Sequence, residues 1–219
     1  MRVIDNQGLE TPEQRLGARL SRRSSAEVLQ DRLMQQESAN LEEAFTHLRD
    51  SGALVEAAGI IVAARRRFII GLGKSAGYAA LIAADLQTSL SRVTLIDGAS
   101  VRPVDVLAEV GDSDALVAFS FRRYREDTIR IVREFATAGG HVVLITDTEH
   151  NPAADSAEQV VVVPTASESY ADSATAVAAA SLILSTLVTA SAKGARRRME
   201  TRSHIAERLG LYHHQEGHL

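Results

Sequence analysis

Short apolar runs alternate along this chain with longer stretches in which apolar residues recur every three or four positions. The runs are Phe68-Ile69-Ile70, Val93-Thr94-Leu95-Ile96, and residues 115–119, 141–145 and 160–163. Continuous runs of this length, bounded by glycine or polar residues, predict strands covered on both faces. Between them, residues 76–90 predict a helix with Ala79, Ala80, Ala83 and Ala84 turned to the sheet and Leu86 and Leu90 at its edge. A short helix over 104–110 and a longer one over 126–138 follow, the latter with Ile129, Val132, Phe135 and Ala136 inward and Gly139-Gly140 as its stop. Upstream, helical spacing begins at Ser25, with Ala26, Leu29 and Leu33 on one face and Leu41, Ala44, Phe45 and Leu48 repeating it. Asp50 or Ser51 then caps a second helix through Leu54, Val55, Ile60, Ile61 and Val62. A long helix over 171–193 and a charged helical tail close the chain.

Strands alternating with helices predict an α/β fold, a three-layer αβα sandwich around a parallel sheet, with helical extensions at both ends. Right-handed crossovers leave few orders for five strands, and the flavodoxin-like order 2-1-3-4-5 is the simplest. The expected division is a flexible arm over 1–24 with solvated arginines at Arg15, Arg19, Arg22 and Arg23, a domain over 25–195, and a charged tail over 196–219. In this order the chain reverses between the first and third strands. A ligand crevice is therefore expected at their carboxyl ends, between loops 71–75 and 120–125.

The first loop, Gly71-Leu72-Gly73-Lys74-Ser75-Ala76, admits several readings. A Walker A loop needs glycine where Phe68 stands, so a nucleoside-triphosphate P-loop is not expected. Gly71, Gly73 and Ala76 satisfy the dinucleotide fingerprint G-x-G-x-x-G/A, and Asp97 closes the next apolar run as a ribose acceptor would. A sugar-phosphate site, with the Ser75 hydroxyl beside the first helical N–H groups, fits equally, as does a tight turn that binds nothing. The second loop carries Arg122, Arg123 and Arg125. Guanidinium groups grip phosphate or carboxylate with paired hydrogen bonds, so this loop either anchors an anion beside Ser75 or pairs with Glu126, Asp127 and solvent.

Composition narrows the field. The 219 residues carry a net charge of -4, which gives no general attraction to nucleic acid or anionic membrane. With no cysteine, disulfides, thiolate catalysis and cysteine metal sites are excluded, and the polar N-terminus lacks the apolar core of a signal peptide. The cytoplasm is the default expectation. Residues 173–192 are uncharged and precede Lys193, Arg196, Arg197 and Arg198, but they are mostly Ala, Ser and Thr, which reads as a buried or subunit-contacting helix rather than a membrane span. His214 and His218 share helical spacing without a carboxylate cluster, so no metal is assigned, and no cofactor.

Taken together, Gly71, Gly73 and Ser75, then Ser120, Phe121, Arg122, Arg123, Tyr124 and Thr128, then Ile145, Thr146, Asp147, Asn151 and Pro152, then Val163, Pro164, Thr165 and Ser167 resemble the sugar isomerase (SIS) domain. More narrowly, the chain looks like the ligand-binding half of RpiR-type transcriptional regulators. The resemblance implies a phosphosugar touched by Ser75 and Ser120, with Ser167 and Glu168 reaching the sugar. The expected ligand-binding set is Gly73, Lys74, Ser75, Ser120, Arg122, Arg123, Thr128, Ser167 and Glu168. The usual phosphate loop of the family is Ser-x-Ser-Gly-x-Thr, and here Arg122, Arg123 and Arg125 replace its second serine, glycine and threonine.

The reading that follows is an effector-sensing module for a sugar phosphate or related anionic metabolite. It is expected to form a homodimer or dimer of dimers through the 171–193 helix and the N-terminal helices. Too few residues precede Ser25 for a helix-turn-helix, so direct DNA binding by this chain is not expected. One alternative is an aldose-ketose phosphate isomerase with Glu168 as base, assisted by Glu149, His150 or His204. Another is a NAD-binding protein using Asp97.

Overall fold

The computed structural model describes residues 11–20 and 25–212. Three helices, α1 (Pro12–Leu20), α2 (Ala26–Ser51) and α3 (Ala53–Ala63), lead into the first strand, β1 (Arg66–Gly71). Then come α4 (Ser75–Ser89), β2 (Val93–Ile96), α5 (Pro103–Leu107), β3 (Asp114–Phe119), α6 (Glu126–Thr137), β4 (His141–Thr146), β5 (Gln159–Val162), α7 (Thr175–Ser191) and α8 (Ala195–Arg208). The five strands are all parallel and lie in the order β2-β1-β3-β4-β5, as expected from the alternation of elements.

The pleat divides the core in two. Ile69, Val117, Val143 and Val161 point into the layer formed with α2, α3, α4 and α7, while Phe68, Ile70, Leu116, Ala118, Val142 and Leu144 point toward α5 and α6. Such double coverage is why these strands read as unbroken apolar runs. At the amino-terminal edge Arg66 forks onto Asp114, with Nε donating to Oδ1 at 2.9 Å and Nη2 to Oδ2 at 2.6 Å. Its neighbour Arg67 is buried without a carboxylate. It donates instead to the carbonyls of Ile61, Val62 and Ser91, closing the carboxyl end of α3.

Several expectations are corrected. Part of the stretch read as an irregular arm is helical, because Thr11 and Gln14 form a reciprocal capping box, with Gln14 N–H donating to Thr11 Oγ1 at 3.2 Å and Thr11 N–H to Gln14 Oε1 at 3.0 Å, and Pro12 occupies the first helical position. Arg15 is not solvated but buried. Arg22, Arg23 and the terminal histidines His213, His214 and His218 lie outside the described residues. On α4 the buried set is Ser75, Ala79, Ile82, Ala83, Leu86 and Ser89. Ala80 and Ala84, one step further round the helix, face solvent. Phe45 is 40% exposed, and Gly52 rather than Asp50 or Ser51 is the N-cap of α3. The uncharged stretch after 173 supplies α7, which buries Ala176, Val177, Ala180, Leu184 and Val188 and meets α8 at a bend of 106°. No single helix among the described residues is long and apolar enough to cross a membrane.

Candidate functional site

At the carboxyl end of β1 the chain turns into α4 with no room for a side chain at Gly71, where a Cβ would lie 2.3 Å from the carbonyl oxygen of Ser75. Gly73 takes φ +61°, a left-handed conformation that glycine adopts without strain. The helix begins at Ser75 without a side-chain cap. The Ala76 and Gly77 N–H groups donate to the carbonyls of Gly73 and Lys74 at 3.2 Å, the positive end of the helix dipole favours a negative charge beside them, and the nearly buried Ser75 lies there.

The neighbouring β3–α6 loop is fixed from behind. Ser120 N–H donates to the Ile145 carbonyl at 3.1 Å, and the Ser120 carbonyl accepts from Asn151 Nδ2 at 3.1 Å. Asn151 is buried, and it also donates to Thr146 Oγ1 and accepts from Ala153 N–H. Ser120 is 3% exposed, and its hydroxyl oxygen has no hydrogen-bond partner. Buried hydroxyls are rarely left so, and this one lies in the wall of the cavity between the two loops. Further along, Tyr124 OH donates to Asp147 Oδ1 at 3.1 Å. Burial, together with the Asp147 charge, pushes that phenol up to about 12. Arg125 forks onto Asp127 at 3.0 and 2.6 Å, and Asp127 Oδ1 also accepts from Thr128 N–H at 2.9 Å. The exposed arm of the second loop thus pairs partly with its own helix start, as the alternative reading anticipated, while Arg122 and Arg123 do not.

Both loops face one cavity of about 460 Å³, within the range of small-molecule sites. Gly73, Lys74, Ser75, Ser120, Arg122, Arg123 and Thr128 all line it, which brings together seven of the nine residues expected from the sequence. Ser167 and Glu168 do not line it; from that segment the wall is made by Thr165, Ala171, Asp172 and Ser173. The segment is held in place by α2, where buried Asn40 donates to the Ala166 carbonyl at 2.7 Å and Glu37 accepts from Ser173 Oγ. Sequence reasoning missed two charged members of the wall. Arg15 reaches across from α1 to pair with Asp172, whose carboxylate also lies 3.5 Å from Arg122 Nη2, and Lys74 donates to the Asp172 carbonyl. The capping box at Thr11 could have revealed α1, but no local signal joins residues 157 positions apart.

Asp97 is engaged elsewhere. Its Oδ1 accepts the backbone N–H groups of Ala99, Ser100 and Val101 at 2.8–2.9 Å, which hold its carboxyl below the usual aspartate range, and it lies outside the cavity. Its Oδ1 caps the turn that follows β2. Among the described residues no cluster of histidine and carboxylate groups is arranged to hold a metal ion.

The architecture is shared with solved proteins. The sugar isomerase domain of an RpiR transcription factor from Sphaerobacter thermophilus superposes with a TM-score of 0.72 at 21% identity, covering 80% of this chain and 96% of that one. The Vibrio vulnificus NanR protein complexed with ManNAc-6P gives 0.68 at 12% identity, over 90% of this chain and 75% of its own. The C-terminal domain of glucosamine-fructose-6-phosphate aminotransferase from Francisella tularensis gives 0.55 at 17% identity, over 81% and 50%. No curated protein matches the chain. These likenesses concern the fold. The sequence itself carries the assignment: residues 60–192 match the SIS domain model, more than half of the chain, and the chain belongs to the SIS domain family.

Proposed function

We propose that this chain is a binding module for a sugar phosphate or related anionic metabolite, the effector-sensing part of an RpiR-like regulator. The observation that carries the reading is the buried, unpartnered Ser120 hydroxyl beside the uncapped start of α4, in a cavity walled by arginines. A phosphate oxygen accepts from Ser120 Oγ at the positive end of the α4 dipole, and Arg122 and Arg123 add charge. That two neighbours of similar fold are an RpiR transcription factor and NanR, the latter complexed with ManNAc-6P, supports the regulatory side of the reading. Binding without turnover is favoured over isomerisation because Asp172 is the single carboxylate in the wall among the described residues and is already tied to Arg15 and Arg122. Proton transfer between adjacent carbons needs a base within reach of the substrate, and Glu168 does not line the cavity.

A ligand that binds only the folded state raises the unfolding temperature. A panel of sugar phosphates, phosphorylated sugar acids and NAD, followed by thermal unfolding, is expected to show stabilisation by a phosphorylated carbohydrate, abolished in Ser120→Val and absent for NAD. Stabilisation by NAD alone, or an unchanged response in the variant, overturns the proposal.

A further inference from the structure

The cavity holds more positive charge than one phosphate requires. Five cationic side chains line it, Arg15, Lys74, Arg122, Arg123 and Arg125; against them stand Asp172 in the wall and Asp127 on Arg125, leaving a surplus of three. A phosphate monoester supplies about two negative charges at neutral pH. Among the described residues no carboxylate pairs with Lys74 or Arg123.

The charges are also grouped. Ser75, Ser120, Thr128 and the start of α4 make one cradle, while Arg15 and Arg122 converge on a single point, the Asp172 Oδ1 atom. A carboxylate therefore already fits between these two guanidinium groups. Asp172 holds that position through one oxygen only, at Arg15 Nη1 and, more loosely at 3.5 Å, at Arg122 Nη2. Two guanidinium groups meeting at one carboxylate oxygen make a position that suits a carboxylate, since charge-assisted N–H···O bonds reach it from both sides.

We infer that Arg15 and Arg122 form a second anion subsite, in which Asp172 stands in for a carboxylate of the ligand, so that the ligand is a phosphorylated sugar acid with an anionic group at each end. The inference rests on the phosphate reading above and adds to it the identity of the second group. When ligand arrives, its carboxylate takes the place of the Asp172 carboxylate between Arg15 Nη1 and Arg122 Nη2 and displaces that side chain. Asp172 remains attached through its carbonyl to Lys74. It thereby acts as a built-in competitor that offsets one of the two arginine charges.

The test is titration calorimetry on the full chain with matched probes that differ only in one carboxylate: 6-phosphogluconate against glucitol 6-phosphate, and 3-phosphoglycerate against glycerol 3-phosphate. In each pair the acid is expected to bind at least about tenfold more tightly. Asp172→Asn is expected to tighten the acids about tenfold further and leave the alcohols within about twofold. Arg15→Met, checked for an intact fold by circular dichroism, removes the advantage of the acids while the alcohols bind as before. Equal affinity within both pairs overturns the second subsite and leaves the phosphate reading standing; so does weaker binding of the acids in Asp172→Asn, which needs no change at Arg15. If none of the four probes nor any other phosphorylated carbohydrate binds, the phosphate reading fails and this inference falls with it.

Discussion

Arg123 holds φ +58°, the left-handed conformation, where the usual SIS phosphate loop has glycine. The loop has kept the glycine's backbone shape while gaining a cation. A side chain in that region costs roughly 1–2 kcal/mol, and glycine loses roughly 0.5–1 kcal/mol more chain entropy on folding. Arg123→Gly is therefore expected to leave stability unchanged or to raise it by up to about 1 kcal/mol, read from denaturant midpoints, while weakening anion binding. At Gly71 the balance runs the other way. A methyl group there meets the Ser75 backbone, so Gly71→Ala must move the start of α4 and is expected to abolish ligand-induced stabilisation as well as cost several kcal/mol, of order 3. Asp114 gives a pH prediction. It is 1% exposed, and the Arg66 fork holds its carboxyl below the usual aspartate range, against the opposing effect of burial. A depressed folded value means the stabilisation is complete above the unfolded value of about 4 and is lost as pH falls through the lower folded one. Asp114→Asn is expected to cost about 2 kcal/mol at neutral pH and to flatten the acid side of the stability profile.

Among the elements, the β3–α6 loop shows how a site is held from outside itself. Tyr124 anchors it to the end of β4 and Asn151 holds the Ser120 carbonyl, so the residues that carried the family resemblance without obvious chemistry, Asp147 and Asn151, are supports for this loop. Tyr124→Phe is expected to cost about 1 kcal/mol in stability and to loosen anion binding through Arg122 and Arg123, measured by titration. The strands were legible because a parallel strand covered on both faces has to be apolar throughout, and Phe68-Ile69-Ile70 or Leu116-Val117-Ala118 meets no competing pattern. Helix α1 was obscured by its many polar residues, although Thr11, Pro12 and Gln14 spell its start. The outward face of Ala80 and Ala84 was hidden for another reason: alanine has no polarity to mark a side, and only the position of Ile82 and Leu86 against the sheet sets the rotation of α4.

For the whole molecule, the helices α3 and α7 pack side by side on one face of the sheet, and Val55 of α3 and Leu182 of α7 are 64% and 62% exposed. We propose that this layer joins two copies of the chain. Sedimentation is expected to give a dimer or a dimer of dimers, and Leu182→Glu is expected to shift it toward the monomer without lowering the monomer's own fold stability by more than about 0.5 kcal/mol, since an exposed side chain contributes little within one copy. The sequence by itself determined the alternation of elements, and with it the parallel sheet, its order and the place where two loops meet at the crossover. These follow from local periodicity and from the handedness of connections, which need no knowledge of distant contacts. Only the tertiary structure decided what closes the cavity: that Arg15 and Asp172 enter it, that Ser167 and Glu168 stay out of its wall, and that Asp97 serves its own turn. Those outcomes depend on where separate segments come to rest against one another, and the Arg15–Asp172 pair, 157 residues apart, exists only once the helices between them have packed.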